Sequence, residues 1–349
     1  MLINLRINMF IKNTLTFFVL YVLLLAANIS CSRQSTPQQS VIHHNPVLDI
    51  DFPDPTVINV NSTFYAYATQ SEHNGKMVNI QLASSKDLFN WTYIGDALPN
   101  KPAWANRTQD FWAPHVLYDT TLHKYVLFFC AKSNDTTTDK GIGVAFADNP
   151  EGPFVPKDSP LIVGKGFKDI DPMAMIDPAT GKKLLYWGSG FQPIQVQELT
   201  NNWTAFKPGS TAVAVVFPHT ENNYTNLIEG GWIDVYKGKY YLYYSGDNCC
   251  GSKANYAVMV ARATNAFGPF ERLGEANGKG SSVILEKDST WLAPGHNSIV
   301  ADNKGNRWIA YHAIPANKSK TSEDHYIKRV LCIEPLRYVN GWPVVLHTY

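Results

Sequence analysis

One unit recurs five times along this chain, at steps of about 60 residues. Each unit opens on a short strand head, turns, and returns as an aromatic strand. The heads are Asp54-Pro55-Thr56-Val57-Ile58, Pro114-His115-Val116, Asp171-Pro172-Met173-Ala174-Met175, Glu229-Gly230-Gly231-Trp232-Ile233 and Gly295-His296-Asn297. The returning strands include Thr63-Phe64-Tyr65-Ala66-Tyr67-Ala68, Lys124-Tyr125-Val126-Leu127-Phe128-Phe129 and Lys239-Tyr240-Tyr241-Leu242-Tyr243-Tyr244. Turn residues such as Lys237-Gly238 and the segment from Asp302 to Gly305 lie between head and return, so each unit starts as a β-hairpin. Outer phrases such as Asn149-Pro150-Glu151-Gly152-Pro153-Phe154 and Asn265-Ala266-Phe267-Gly268-Pro269-Phe270 add further turns. No long amphipathic helix is evident, which sets aside α/β architectures. The pattern predicts an all-β chain: a five-bladed β-propeller formed by one domain over residues 45–349.

Strands that start around a common axis aim their first side chains at one spot. Asp54, Asp171 and Glu229 would then meet, and three carboxyl groups in one place are acid–base equipment. Taken singly, each has a plain structural reading. Aspartate before proline is a common turn pairing, and a lone tryptophan such as Trp112 is usually core packing. The set at repeat spacing is what points to chemistry.

The bulk numbers narrow the partners. The 349 residues carry a formal net charge of +1, without the basic stripe of a nucleic-acid binder. Arg6 and Lys12 precede an apolar stretch from Leu15 to Ala27 that is too short to span a bilayer comfortably. Residues 1–31 therefore read as a signal peptide, with lipid anchoring through Cys31 as the alternative and no stable membrane span. Residues 32–44, Ser/Gln/Pro-rich at their start, read as a linker. Beyond the leader, seven Asn-x-Ser/Thr sequons (Asn61, Asn90, Asn106, Asn134, Asn202, Asn223 and Asn317) favour a secreted, extracellular protein. Cys130, Cys249, Cys250 and Cys332 can pair in several ways, and the sequence does not choose among them. Gly-x-Ser-x-Gly, phosphate-loop, dinucleotide and zinc spacings are absent. The sequence specifies no oligomeric state.

Six phrases in order carry a resemblance to glycoside hydrolase family 43. They are Phe52-Pro53-Asp54-Pro55, Phe111-Trp112-Ala113-Pro114, Ile170-Asp171-Pro172, Ile228-Glu229-Gly230-Gly231-Trp232, Gly295-His296-Asn297-Ser298 and Gly341-Trp342-Pro343. The resemblance implies Asp54 as general base, Glu229 as general acid, and Asp171 as the group that orients the acid and keeps its pKa suitable. It implies substrate contacts from Trp112, His115, His296 and Arg329, with His115 standing where many relatives carry aspartate. No cofactor would be required, and a structural calcium would lie near His296. An inverting glycosidase needs one carboxylate to activate water and one carboxylic acid to protonate the leaving oxygen. The expected partner is a polysaccharide or oligosaccharide of plant-type pentoses. Asp247-Asn248-Cys249-Cys250-Gly251 looks like arabinan-cleaving members, which implies an α-L-arabinofuranosidase or an endo-1,5-α-L-arabinanase. A β-xylosidase is the alternative within the family, a non-catalytic sugar-binding propeller the alternative from another class, and a configuration-retaining fructan enzyme a weaker third.

Overall fold

The computed structural model describes residues 44–220, 224–278, 280–318 and 328–347. The expected leader, Cys31, nearly all of the linker and the sequon at Asn223 lie outside the described residues. Blade I consists of β1 (Thr56–Val60), β2 (Thr63–Ala68), a separate hairpin of β3 (Ser71–His73) and β4 (Lys76–Val78), then β5 (Gln81–Ser85) and β6 (Trp91–Asp96). Blade II holds β7 (Trp112–Asp119), β8 (Lys124–Lys132), β9 (Lys140–Ala147) and β10 (Val155–Pro156), with β11 (Ile162–Val163) also on β9. Blade III follows with β12 (Met173–Ile176), β13 (Lys183–Trp187), β14 (Ile194–Glu198) and β15 (Val213–Val216). Blade IV holds β16 (Ile228–Tyr236), β17 (Lys239–Gly246), β18 (Ala257–Ala263) and β19 (Glu271–Arg272), with β20 (Val283–Leu285) on β18. Blade V is β21 (Trp291–Ala301), β22 (Arg307–Pro315), β23 (Val330–Val339) and β24 (Trp342–Val345). The chain is a five-bladed β-propeller, as the repeat predicts.

The second strand of each blade is apolar on both faces because both faces are covered. Successive strand side chains point to opposite sides, so alternate residues serve opposite neighbours. Leu127 and Phe129 pack against Tyr67 and Leu82 of blade I, while Val126, Phe128 and Cys130 pack against Leu185 and Trp187 of blade III. In blade IV, Leu242 and Tyr244 join Leu184 and Tyr186, whereas Tyr241 and Tyr243 join Ile309 and Tyr311 of blade V. Val57 and Phe64 meet Trp308 and Leu331 and complete the circle. The core is thus five interblade layers, one per gap. The N-terminal segment fastens the ring: Val47 N donates to Leu331 O at 3.0 Å, and Phe52 N to Arg329 O at 2.7 Å.

Each blade begins with a kink. Asp54, Ala113, Asp171, Gly230 and Ala293 have φ of 56°, 46°, 60°, 61° and 47°. Each stands immediately before Pro55, Pro114, Pro172, Gly231 or Pro294. In blades II, IV and V the ladder register shifts across this pair, as at a β-bulge, which re-aims the side chain beside it. Left-handed backbone at a non-glycine residue costs about 1–3 kcal/mol and persists only where its surroundings enforce it.

Candidate active site

The enforcing contacts come mostly from the neighbouring blade. Ala113 N donates to Thr69 Oγ1 at 2.8 Å, Asp171 N to Cys130 Sγ at 3.1 Å, and Asp54 N to His312 Nδ1 at 3.1 Å. His296 N donates to Ser245 Oγ at 2.8 Å. Cys130, Ser245 and His312 sit in the second half of a second strand and Thr69 just beyond one, each one blade before the head it holds. In blade III this region carries Gly188, which has no side chain to offer. There the Gly230 N–H donates instead to Asp171 Oδ2 at 3.1 Å. The same interblade bond that fixes the fourth head therefore also orients a buried carboxyl.

The kinks deliver the expected carboxyl groups to one pocket of about 250 Å³. Asp54, Asp171, Glu229, Trp112, His296 and Arg329 all line it, together with Thr69, Phe167, Ile170, Cys249 and Cys250. His115 is the one expected site residue that the structure does not bring there. It stands two positions beyond the kink at Ala113, where regular alternation has resumed. Its buried ring packs 5.1 Å from Trp232, and its Nδ1 accepts the Ala174 N–H at 3.3 Å. His115 thus joins blade II to blade III at the other end of the axis. Burial takes its pKa down to about 3, so the ring is neutral.

Asp54 is surrounded by cationic and donor groups. Arg329 Nη1 and His296 Nδ1 each lie 3.4 Å from its Oδ1, and Thr69 Oγ1 donates to Oδ2 at 2.5 Å. Burial alone would raise its pKa. The Arg329 guanidinium first, and then His296, outweigh burial and hold the carboxyl well below the usual range. The His312 imidazole accepts the Asp54 N–H at Nδ1, so its proton sits on Nε2. Burial takes this ring to about 4, and it is neutral near pH 7.

Asp171 is the opposite case. Burial, the neighbouring Glu229 and then Asp54 all push its pKa well above the usual range. Asp171 and its neighbour Glu229 differ in exposure. Asp171 is buried, whereas Glu229 is half-buried and hydrogen-bonded through both oxygens. Tyr256 OH donates to Oε1 and Ser189 Oγ to Oε2, each at 2.6 Å. These hydroxyls rotate, so each can also accept a hydrogen bond from a protonated carboxyl.

Two glycines make this packing feasible. At Gly230 a Cβ would lie 3.2 Å from the His296 ring, and at Gly295 it would overlap the Tyr256 ring at 2.1 Å. Gly230 thus lets the His296 imidazole approach the kink, and Gly295 admits the ring that bonds Glu229. Thr69, Ser189, Tyr256 and His312 were not singled out from sequence. Thr69 and His312 share one signal, a polar residue late in or just beyond an otherwise apolar second strand.

Calcium takes roughly six to eight oxygen ligands. His296 offers one ring nitrogen that faces Asp54. Among the described residues no group of three His, Cys, Asp or Glu side chains could hold a metal ion.

Three carboxyl groups in one pocket at the strand heads of a propeller, one of them held ionised beside Arg329, are the equipment of a glycoside hydrolase. The model of the glycosyl hydrolases family 43 matches residues 43–343, and the chain belongs to that family. It is 27% identical over 304 residues to an extracellular endo-α-(1→5)-L-arabinanase of Bacillus subtilis, covering 83% of this chain and 86% of the relative. It is 26% identical over 298 residues to a putative β-xylosidase of Xylanibacter ruminicola, covering 84% of this chain and 49% of that longer protein. The crystal structure of a thermostable family-43 glycoside hydrolase superposes with a TM-score of 0.69 at 25% identity, covering 87% and 95% of the two chains.

Proposed function

We propose that this chain is an exported hydrolase that cleaves 1,5-linked α-L-arabinan with inversion, using Asp54 as general base and Glu229 as general acid. The observation that carries the reading is one pocket lined by Asp54, Asp171 and Glu229, with Arg329 and His296 each 3.4 Å from Asp54 Oδ1 and Asp171 buried and fixed by the Gly230 N–H. Asp54 stays ionised and takes a proton from water. Glu229, beside the buried Asp171, passes a proton to the leaving oxygen. Arg329, His296 and Trp112 bind the sugar around this axis, and Asp171 positions the acid. The Bacillus subtilis relative, named for action on arabinan and for extracellular location, supports the substrate and export. The apolar stretch from Leu15 to Ala27 supports export independently.

Action within the polymer is favoured over removal of single end residues. Phe167, Phe191 and Phe217 are 55%, 66% and 58% exposed. All three lie on segments that enter or leave strands on the face bearing the pocket. Phe167 stacks on Trp112 with planes 5° apart, and Phe191 shares a loop with Ser189, which touches Glu229. Exposed rings beside a pocket suit an extended sugar chain. Sizing of products from debranched arabinan should show oligosaccharides of mixed length early in the reaction. Proton NMR of the first product should show the inverted anomer, and the retained anomer would overturn the mechanism. The β-xylosidase relative supplies a second reading, which rapid release of xylose from xylo-oligosaccharides without action on arabinan would establish.

A further inference from the structure

Cys249 and Cys250 are joined to each other by a disulfide, and both residues line the pocket with the carboxyl groups. Cys130 and Cys332 are free and buried elsewhere. The loop bearing the pair is held from several sides. Asp247 Oδ1 accepts the Asn248 N–H and Asp247 Oδ2 accepts Asn255 Nδ2, each at 2.8 Å. Asn255 N donates to Asn248 O at 2.9 Å, and Lys287 Nζ to Asn255 Oδ1 at 2.8 Å. Cys249 packs on one side against the small apolar cluster of Tyr256, Ala293 and Ile314. Tyr256 in turn donates to Glu229. The paired cysteines therefore stand between open pocket and the residue that holds the acid.

The pocket wall divides by chemistry. Asp54, Asp171, Glu229, His296 and Arg329 offer charge and hydrogen bonds, suited to sugar hydroxyls. Trp112, Phe167, Ile170 and the disulfide offer apolar surface, suited to C–H faces. Two separate thiols would be mobile weak donors, whereas joined sulfurs form a rigid, polarisable plate with no donor. We propose that the Cys249–Cys250 disulfide is a sugar-contacting wall that sets affinity for the pentose ring, and that its reduction weakens substrate binding. This rests on the pentoside reading of the pocket but is tested apart from it.

The test uses the full chain, oxidised and after reduction with a phosphine. Peptide mass spectrometry reports the state of the two sulfurs, and circular dichroism reports the fold. A 1,5-linked arabino-oligosaccharide is titrated by calorimetry, and kcat and KM are measured on debranched 1,5-linked arabinan. Reduction should raise Kd and KM roughly tenfold, the scale of a lost apolar contact in a pocket, with kcat changed less than about twofold. Reoxidation should restore both. The Cys249→Ser/Cys250→Ser variant should show the weakened values and no response to the phosphine. Unchanged Kd with both sulfurs shown to be reduced overturns the proposal, as does finding the two thiols free in untreated protein. If the oxidised chain binds the oligosaccharide, responds to reduction and turns nothing over, the hydrolase reading fails while the wall stands. No binding in either state removes both.

Discussion

The two ends of the propeller axis are built from the same five inner strands and have opposite character. At one end the strand heads carry Asp54, Asp171, Glu229 and His296 into a small pocket. At the other, further along the same strands, Val57, Val116, Ala174, Met175 and Ile299 surround an opening of about 420 Å³, with His115 among them. A histidine or a tryptophan alone does not separate the ends, since both hold one of each. Backbone does. The charged end is made of left-handed kinks held by side chains of adjacent blades, and the apolar end of ordinary alternating strand. A functional side chain here requires both the right residue type and a position at the kink.

The largest effect should come from the residue with the most partners. Asp54→Asn removes the base and should lower kcat about 10⁴-fold on any pentoside with the fold intact, and azide should recover part of it. A fall of less than about tenfold would remove Asp54 from that role. Asp171→Asn should lower kcat on the order of 10²-fold and alter the pH profile of kcat/KM. Its effect on stability runs the other way. A carboxyl whose folded pKa is raised binds its proton more tightly when folded, so wild-type stability falls as pH rises from the ordinary aspartate value through the raised one. Asp171→Asn lacks that loss and should be the more stable protein in urea at neutral pH, with the gap closing in acid. Asp54 contributes with the opposite sign: its depressed pKa gives stability above the ordinary aspartate value that is lost as pH falls through the folded one.

The other end of the axis should respond in stability alone. His115→Ala leaves the Ala174 N–H without its partner and opens space beside Trp232, costing about 2 kcal/mol. Its kcat and KM on an aryl arabinofuranoside should stay within about twofold of wild type. A large change in KM without loss of stability would break the contrast between the two ends and return His115 to the site.

The sequence made the blades legible because each carries a hairpin with apolar residues on both faces of its second strand. It made Asp54 and Asp171 legible because aspartate-proline recurs at blade spacing. The heads aligned less well. Aligning Asp54 with His115 and His296 gives uneven steps, whereas the kinked residues Ala113, Gly230 and Ala293 are more evenly spaced. That offset is why His115 read as a site residue. Thr69, Ser189, Tyr256 and His312 escaped notice for a different reason. Each acts on a residue in another unit through a hydrogen bond, and a contact between blades leaves no local pattern in the chain. The Cys249–Cys250 pairing was likewise open, because adjacency alone permits a bond to each other or to distant partners.

The measurement that bears most directly on the acid–base division of the pocket is the dependence of turnover on the leaving group in wild type and in Glu229→Gln. If Glu229 protonates the departing oxygen, the variant should lose about 10³-fold on poor leaving groups and little on activated aryl pentosides. An equal loss on both would contradict the account.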